Sequence, residues 1–217
     1  GSEMCIRDSF NRDDQGRIIH EMSQGYPRPS LNTSRKILGF GVPPQQLGIG
    51  ASFRYKDWNA SFLVEGKSGA QVFSGTNVRL IGYGLHQMTV PSGGREAGFV
   101  PDGVLEDGTP ITQSLDYTQQ QNYWGRYNDV AEAGIYDSDY FRMRQMSVGY
   151  TFPKTMLEGT FIQSASVSLI GKNLFFIHNS VPNVDPESAY NNSNSQGLEF
   201  AGMPVPTTVG INVNLKF

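Results

Sequence analysis

From Leu47 onward apolar residues fall on every second position. Leu47, Ile49, Ala51, Phe53 and Tyr55 alternate with Gly48, Gly50, Ser52 and Arg54, the period of a two-faced strand. Lys56 and Asp57 separate this run from a second, in which Trp58, Ala60, Phe62 and Val64 alternate with Asn59, Ser61, Leu63 and Glu65. Residues flanking a two-residue turn pair directly and share a face. Tyr55 and Trp58 both belong to the apolar set, so a hairpin of matched parity is predicted. In DSDYFRMRQMSVGYTFP (137–153) the parity slips, because Phe141 and Met143 are odd-numbered whereas Met146, Val148, Tyr150 and Phe152 are even. One extra residue at Arg144 or Gln145, a β-bulge, restores a continuous apolar face. Ala165, Val167 and Leu169 alternate with Ser164, Ser166 and Ser168 before GKNLFF (171–176). The last stretch, TTVGINVNLKF (207–217), sets Thr207, Val209, Ile211, Val213, Leu215 and Phe217 against Thr208, Gly210, Asn212, Asn214 and Lys216. Its length matches the roughly 9–11 residues of a tilted strand that crosses a bilayer.

Short and long connections alternate between these five strands: Lys56-Asp57, then 67–138, then a short turn after Pro153, then about 178–206. Transmembrane barrels have short turns on one side and long external loops on the other. The pattern puts both short turns and Phe217 on one side, where Tyr55, Trp58, Tyr150, Phe152 and Phe217 form an interfacial aromatic girdle. The expected fold is all-β: an antiparallel sector of a transmembrane β-barrel, open in this chain, with long extracellular loops. A connection as long as 67–138, against a usual length of about 4–6 residues, is expected to be functional, and a short helix is expected within Val72 to Met88. Residues 10–46, with a turn at Asp13 to Gly16 and prolines at 27, 29, 43 and 44, read as a strand end and a loop. A soluble carbohydrate-binding β-sandwich shows the same alternation, with its apolar faces covering one another. Leu63 and Ile170 on the polar face count against the barrel.

Composition narrows the choice. The 217 residues carry a net charge of −3 with 17% charged residues, and no basic face of the kind that binds nucleic acid. The longest run of large apolar residues is Leu174 to Ile177, far short of the roughly 20 needed for a helical bilayer span. The mean hydropathy of −0.37 does not exclude membrane strands, which are only half apolar. The single Cys5 rules out a disulfide framework or a cysteine metal site. It lies in residues 1–9, GSEMCIRDS, which read as a non-native scar or read-through, leaving 10–217 for fold reasoning.

Little points to chemistry. His20, His86 and His178 share no ligand spacing and no acid, base and nucleophile set converges, so no catalytic residue and no cofactor is expected. Asp185 and Glu187 in NVDPE, near Asn191 and Asn192, are a candidate set of oxygen ligands for calcium. A solvated turn is the plainer reading, since the EF-hand spacing is absent. Tyr117, Tyr123, Trp124 and Tyr127 cluster in the longest loop, where aromatic faces beside Gln and Asn suit sugar or peptide recognition; packing of that loop is the equal alternative. Arg142 and Arg144 point inward near the external end, either lining a substrate path or pairing with lumen carboxylates.

The segment DSDYFRMRQMSVGYTFP, then GKNLFF, NVDPE and MPVPTTVGINVNLKF, resembles the C-terminal end of SusC/RagA-type TonB-linked outer-membrane transporters. LGIGASFRYKDWNASFLVEGKSGAQVFSGT (47–76) is similar to the strand pair and following segment upstream of it in that family. The resemblance implies a plugged barrel of about 22 strands, of which this chain supplies the last part, located in the bacterial outer membrane and in contact with its lipid. It further implies import of oligosaccharides or oligopeptides without catalysis, a SusD-like lipoprotein lid, and energy from TonB through an N-terminal part. Phe217 matches the family's terminal aromatic, and with Val213 and Leu215 it would form the signal read by the barrel-assembly machinery.

Overall fold

The computed structural model describes residues 3–6, 9–34, 36–189 and 196–217. Five long strands form one antiparallel sheet in chain order: β1 (Gln45–Tyr55), β2 (Trp58–Ser68), β3 (Tyr140–Thr151), β4 (Ser164–Asn179) and β5 (Thr208–Lys216). The predicted hairpin is present, with Tyr55 opposite Trp58 and Lys56 taking the positive φ of 54° that the tight turn requires. The bulge is present too: the register of β3 against both neighbours shifts between Met143 and Gln145, which leaves Arg144 as the extra residue.

Register turns the sequence alternation into rows across the sheet. Tyr55, Trp58, Tyr150, Val167 and Val213 form the apolar row nearest the short turns, and Phe53, Ala60, Val148, Leu169 and Ile211 the next. Ile49, Val64, Met143 and Phe175 continue the same face beyond the bulge. The reverse face carries Arg54, Asn59, Gly149, Ser168 and Asn212, then Ser52, Ser61, Ser147, Ile170 and Gly210. Ser61 and Ser147 share a hydroxyl hydrogen bond of 2.7 Å there. The apolar face is uncovered: Val209 is 65%, Ile211 72% and Val213 58% exposed. Among the described residues, the mutually buried sheets that a soluble sandwich requires are not found. Aromatic contacts gather at the short-turn end, with Trp58 5.0 Å from Tyr150, Tyr150 5.3 Å from Phe152, and Phe161 stacked 5.5 Å from Phe217.

The opposite end of the sheet carries a folded cap rather than loose loops. Helix α1 (Gly75–Gly82) lies within the expected interval and starts where the Ser74 side chain accepts from the Asn77 N–H. A second helix, α2 (Tyr117–Gly125), is opened by a capping box between Asp116 and Gln119, which satisfies two otherwise orphaned donors. Residues 9–46, read from the sequence as a strand end and a loop, instead contain several short strands, including the hairpin Ile19–Ser23 and Tyr26–Pro29. They join the cap through a core of Phe10, Tyr26, Ile81, Leu115, Tyr123, Trp124, Tyr127 and Val130. Residues 3–6 pair antiparallel with 36–40.

Candidate functional site

Two regions hold the side chains singled out by the sequence. The first is the external end of β3, on the polar face. Arg142 and Arg144 sit there within one ionic cluster whose carboxylates come from Glu65 on β2 and from Asp185 and Glu187 in the 180–206 connection. Arg142 Nη2 lies 2.6 Å from Asp185 Oδ2, and Arg144 Nε lies 2.6 Å from Glu65 Oε2. Both guanidiniums also hold Glu187, which accepts a further bond of 2.7 Å from the Tyr140 hydroxyl. The Arg142 guanidinium lies 3.8 Å from the centroid of the Phe176 ring, a cation–π contact. Burial opposes ionisation of Glu187, yet hydrogen bonds from Arg144 and Tyr140 outweigh it and hold its pKa below the usual carboxylate value.

This cluster fastens the connection to the barrel wall. Arg142 and Asp185 are nearly inaccessible, with side-chain exposures of 5% and 3%, and unpaired charges at that depth would be costly. The bulge has a function here: by inserting Arg144 it puts an extra guanidinium on the wet face while Met143 and Met146 stay on the apolar one. Of the two roles open to the arginines, pairing with carboxylates is the one the geometry shows. Asp185 and Glu187 spend their oxygens on Arg142, Arg144, Tyr140 and the Val205 N–H, which corrects the expectation of a solvated turn. They do not face an open calcium site, and Asn191 and Asn192 lie outside the described residues. Among the described residues no group of three or more His, Cys, Asp or Glu is placed to hold a metal.

The second region is the aromatic cap. Tyr123, Trp124 and Tyr127 are buried, with ring centroids 5.0 to 5.8 Å apart. Three of the four loop aromatics therefore pack the cap, and only Tyr117, 80% exposed, presents its ring to the outside. Tyr123 and Trp124 lie on the buried face of α2, and Tyr127 in the 3-10 turn Arg126–Asp129 that follows it. The Tyr123 hydroxyl lies 3.1 Å from His20 Nε2, and His20 Nδ1 lies 3.1 Å from the Ile18 carbonyl. Burial pushes the His20 pKa down and those of Tyr123 and Tyr127 up.

The sequence reading missed the residues that join cap and connection. Glu199 is buried and accepts from Ser74 Oγ at 2.6 Å, Thr76 Oγ1 at 2.7 Å and the Gly202 N–H at 3.0 Å. Its carboxylate thus sits at the N-terminus of α1, where negative charge is favoured. Asn77 donates to the Pro182 carbonyl at 2.9 Å and accepts from Asn183 at 2.9 Å. The Asp116-x-x-Gln119 spacing could have revealed α2, whereas nothing local marks Glu199.

No protein-family model matches the chain. It is 25% identical over 189 residues to TonB-dependent receptor P3 of Formosa agariphila, a match that covers 84% of this chain and 17% of that receptor. Its fold matches the RagAB peptide importer in the closed-closed state with a TM-score of 0.61 at 12% identity, over 97% of this chain and 22% of the solved one. The fold is that of a sector of the barrel in that importer. The open-open state of the same importer gives this sector a TM-score of 0.59 at 14% identity. The chain spans about a fifth of the length of these relatives.

Proposed function

We propose that this chain, in residues 10–217, is the C-terminal part of an outer-membrane importer of oligosaccharides or oligopeptides, with residues 1–9 non-native. The observation that carries the reading is the uncovered apolar face of Val209, Ile211 and Val213 backed by a polar, ion-paired face. Such a sheet is stable where one side meets lipid and the other water. The relative is a TonB-dependent receptor and the solved neighbour imports peptides; both support transport, with outer-membrane lipid as the surrounding solvent. A SusD-like lipoprotein would cover the cap and TonB would supply energy through a separate N-terminal part. Val213, Leu215 and Phe217, exposed along the last strand, would be read by the barrel-assembly machinery. Tyr117 is the loop aromatic free to meet ligand, while Arg142 and Arg144 act by holding the connection in place.

The test is uptake. A strain lacking the whole transporter should lose import of labelled oligopeptides or of labelled oligosaccharides, and regain it with the wild-type gene. Import of both classes at wild-type rates in the deletion strain would refute the proposal.

A further inference from the structure

Three residues that line one groove of the cap hold hydrogen-bond donors without partners among the described residues. The groove encloses about 500 Å³ between the hairpin 19–29, the end of α1 and the end of α2, and its walls include Tyr26, Arg28, Tyr83, Asn122, Arg126 and Asn128. Tyr26 is 3% exposed, and its hydroxyl, Arg28 Nε and Arg126 Nε are all buried without a hydrogen-bond partner. Asp129, the acidic group on the rim, approaches Arg126 Nη1 only to 3.8 Å and leaves its side chain 64% exposed. Close packing keeps the groove open in this shape: a Cβ at Gly82 would stand 2.1 Å from the Asn128 amide, which is itself held by Arg79 at 3.2 Å.

The chemistry of what is unsatisfied defines the ligand. A guanidinium Nε–H can only donate, and a phenol is a good donor, so the two arginines and the phenol of the groove wall are left with donors that need an acceptor. Buried donors left unpaired cost free energy that an anionic acceptor recovers through charge-assisted bonds. The fork geometry of arginine suits a planar carboxylate in particular. We propose that this groove binds a carboxylate of the nutrient, either a peptide C-terminus or a uronic acid, on the external face of the cap. The placement on the external face rests on the import reading above; the binding does not.

Calorimetry on the whole transporter in detergent micelles tests the inference with two matched probe pairs. One pair is N-acetylated tetra-alanine with a free or an amidated C-terminus; the other is cellobiouronic acid against cellobiose. In at least one pair the acid should bind about tenfold or more tightly than its neutral partner. That preference should shrink at high salt and fall about tenfold in Arg126→Gln. Tyr26→Phe should weaken it without altering melting, and Arg28→Lys, which keeps the charge but not the fork, should restore only part of what Arg28→Gln removes. The pair that shows the preference identifies the source of the carboxylate. Equal binding of acid and neutral probes in both pairs, absence of binding, or unchanged affinity in a folded Arg126→Gln variant would overturn the inference. Acid-selective binding in a transporter that imports neither nutrient class would defeat the import reading and leave the groove standing; normal import without acid selectivity would do the reverse.

Discussion

Replacing Ile211 by arginine separates lipid from water as the medium around the outer face. Ile211 is 72% exposed and lies near the middle of β5, in the apolar row of Phe53, Ala60, Val148 and Leu169. On a water-facing surface such a residue tolerates substitution within about 0.5 kcal/mol. Facing the centre of a bilayer, the same arginine costs about 2–4 kcal/mol, which is roughly 30- to 1000-fold in the folding equilibrium. The next residue is the control. Asn212 points to the opposite face, in the row of Arg54, Asn59, Gly149 and Ser168, so Asn212→Arg should change stability by no more than about 0.5 kcal/mol. The assay is urea-titrated folding of the whole barrel into phosphatidylcholine vesicles, read by the heat-dependent gel shift of folded barrels. Small, equal effects of the two substitutions would show that the exposed face does not meet lipid.

Four further outcomes follow from the docked connection, the cap and the last strand. Glu187→Ala should destabilise the docked connection by about 3 kcal/mol, the low end for a broken buried pair because Asp185 still holds Arg142, and should speed chymotryptic cleavage between 180 and 206, which holds Leu198 and Phe200. Because its folded pKa is depressed, Glu187 contributes its full stabilisation above the ordinary value of 4.5 and loses it as pH falls through the lower folded value; cleavage of the wild-type connection by pepsin, relative to an unstructured control peptide, should therefore accelerate only in strong acid. His20, also shifted downward, favours the folded cap above its ordinary value of 6.5 and withdraws that contribution as pH drops below it. The hydrogen-exchange protection of residues 19–29, corrected for the intrinsic pH dependence of amide exchange, should fall from pH 7 to 5 in wild type and stay flatter in His20→Gln. Phe217→Ala removes the ring stacked on Phe161 and should lower the amount of assembled barrel in the outer membrane by several-fold, while Lys216→Ala should not; equal yields would remove the terminal aromatic from the assembly signal.

The sheet was legible because each residue's partner environment is decided by its own parity. One face in lipid and one in water imposes period two on every strand, and even the single insertion at Arg144 shows as a change from odd to even. The cap offers no such rule. Its core joins Phe10 to Tyr127 and His20 to Tyr123, contacts that span more than a hundred residues and rest on strands of two to five residues. An aromatic cluster in a sequence looks the same whether its rings bind or pack; Tyr117 and Tyr123 differ only in which side of α2 they occupy. The pairing of Arg142 with Asp185 was foreseeable in kind, since a buried guanidinium needs a carboxylate, but not in partner.

The two long connections are laced to each other and to the wall at several separate points. Arg142 and Arg144 grip Asp185 and Glu187, Asn77 joins Pro182 and Asn183, and Ser74 and Thr76 clasp Glu199. The mouth of this sector is thus rimmed by a plate instead of a fringe of independent flaps. Displacing either connection alone would tear polar contacts out of the interior, so a movement that widens the entrance must swing the whole plate or cut its lacing first.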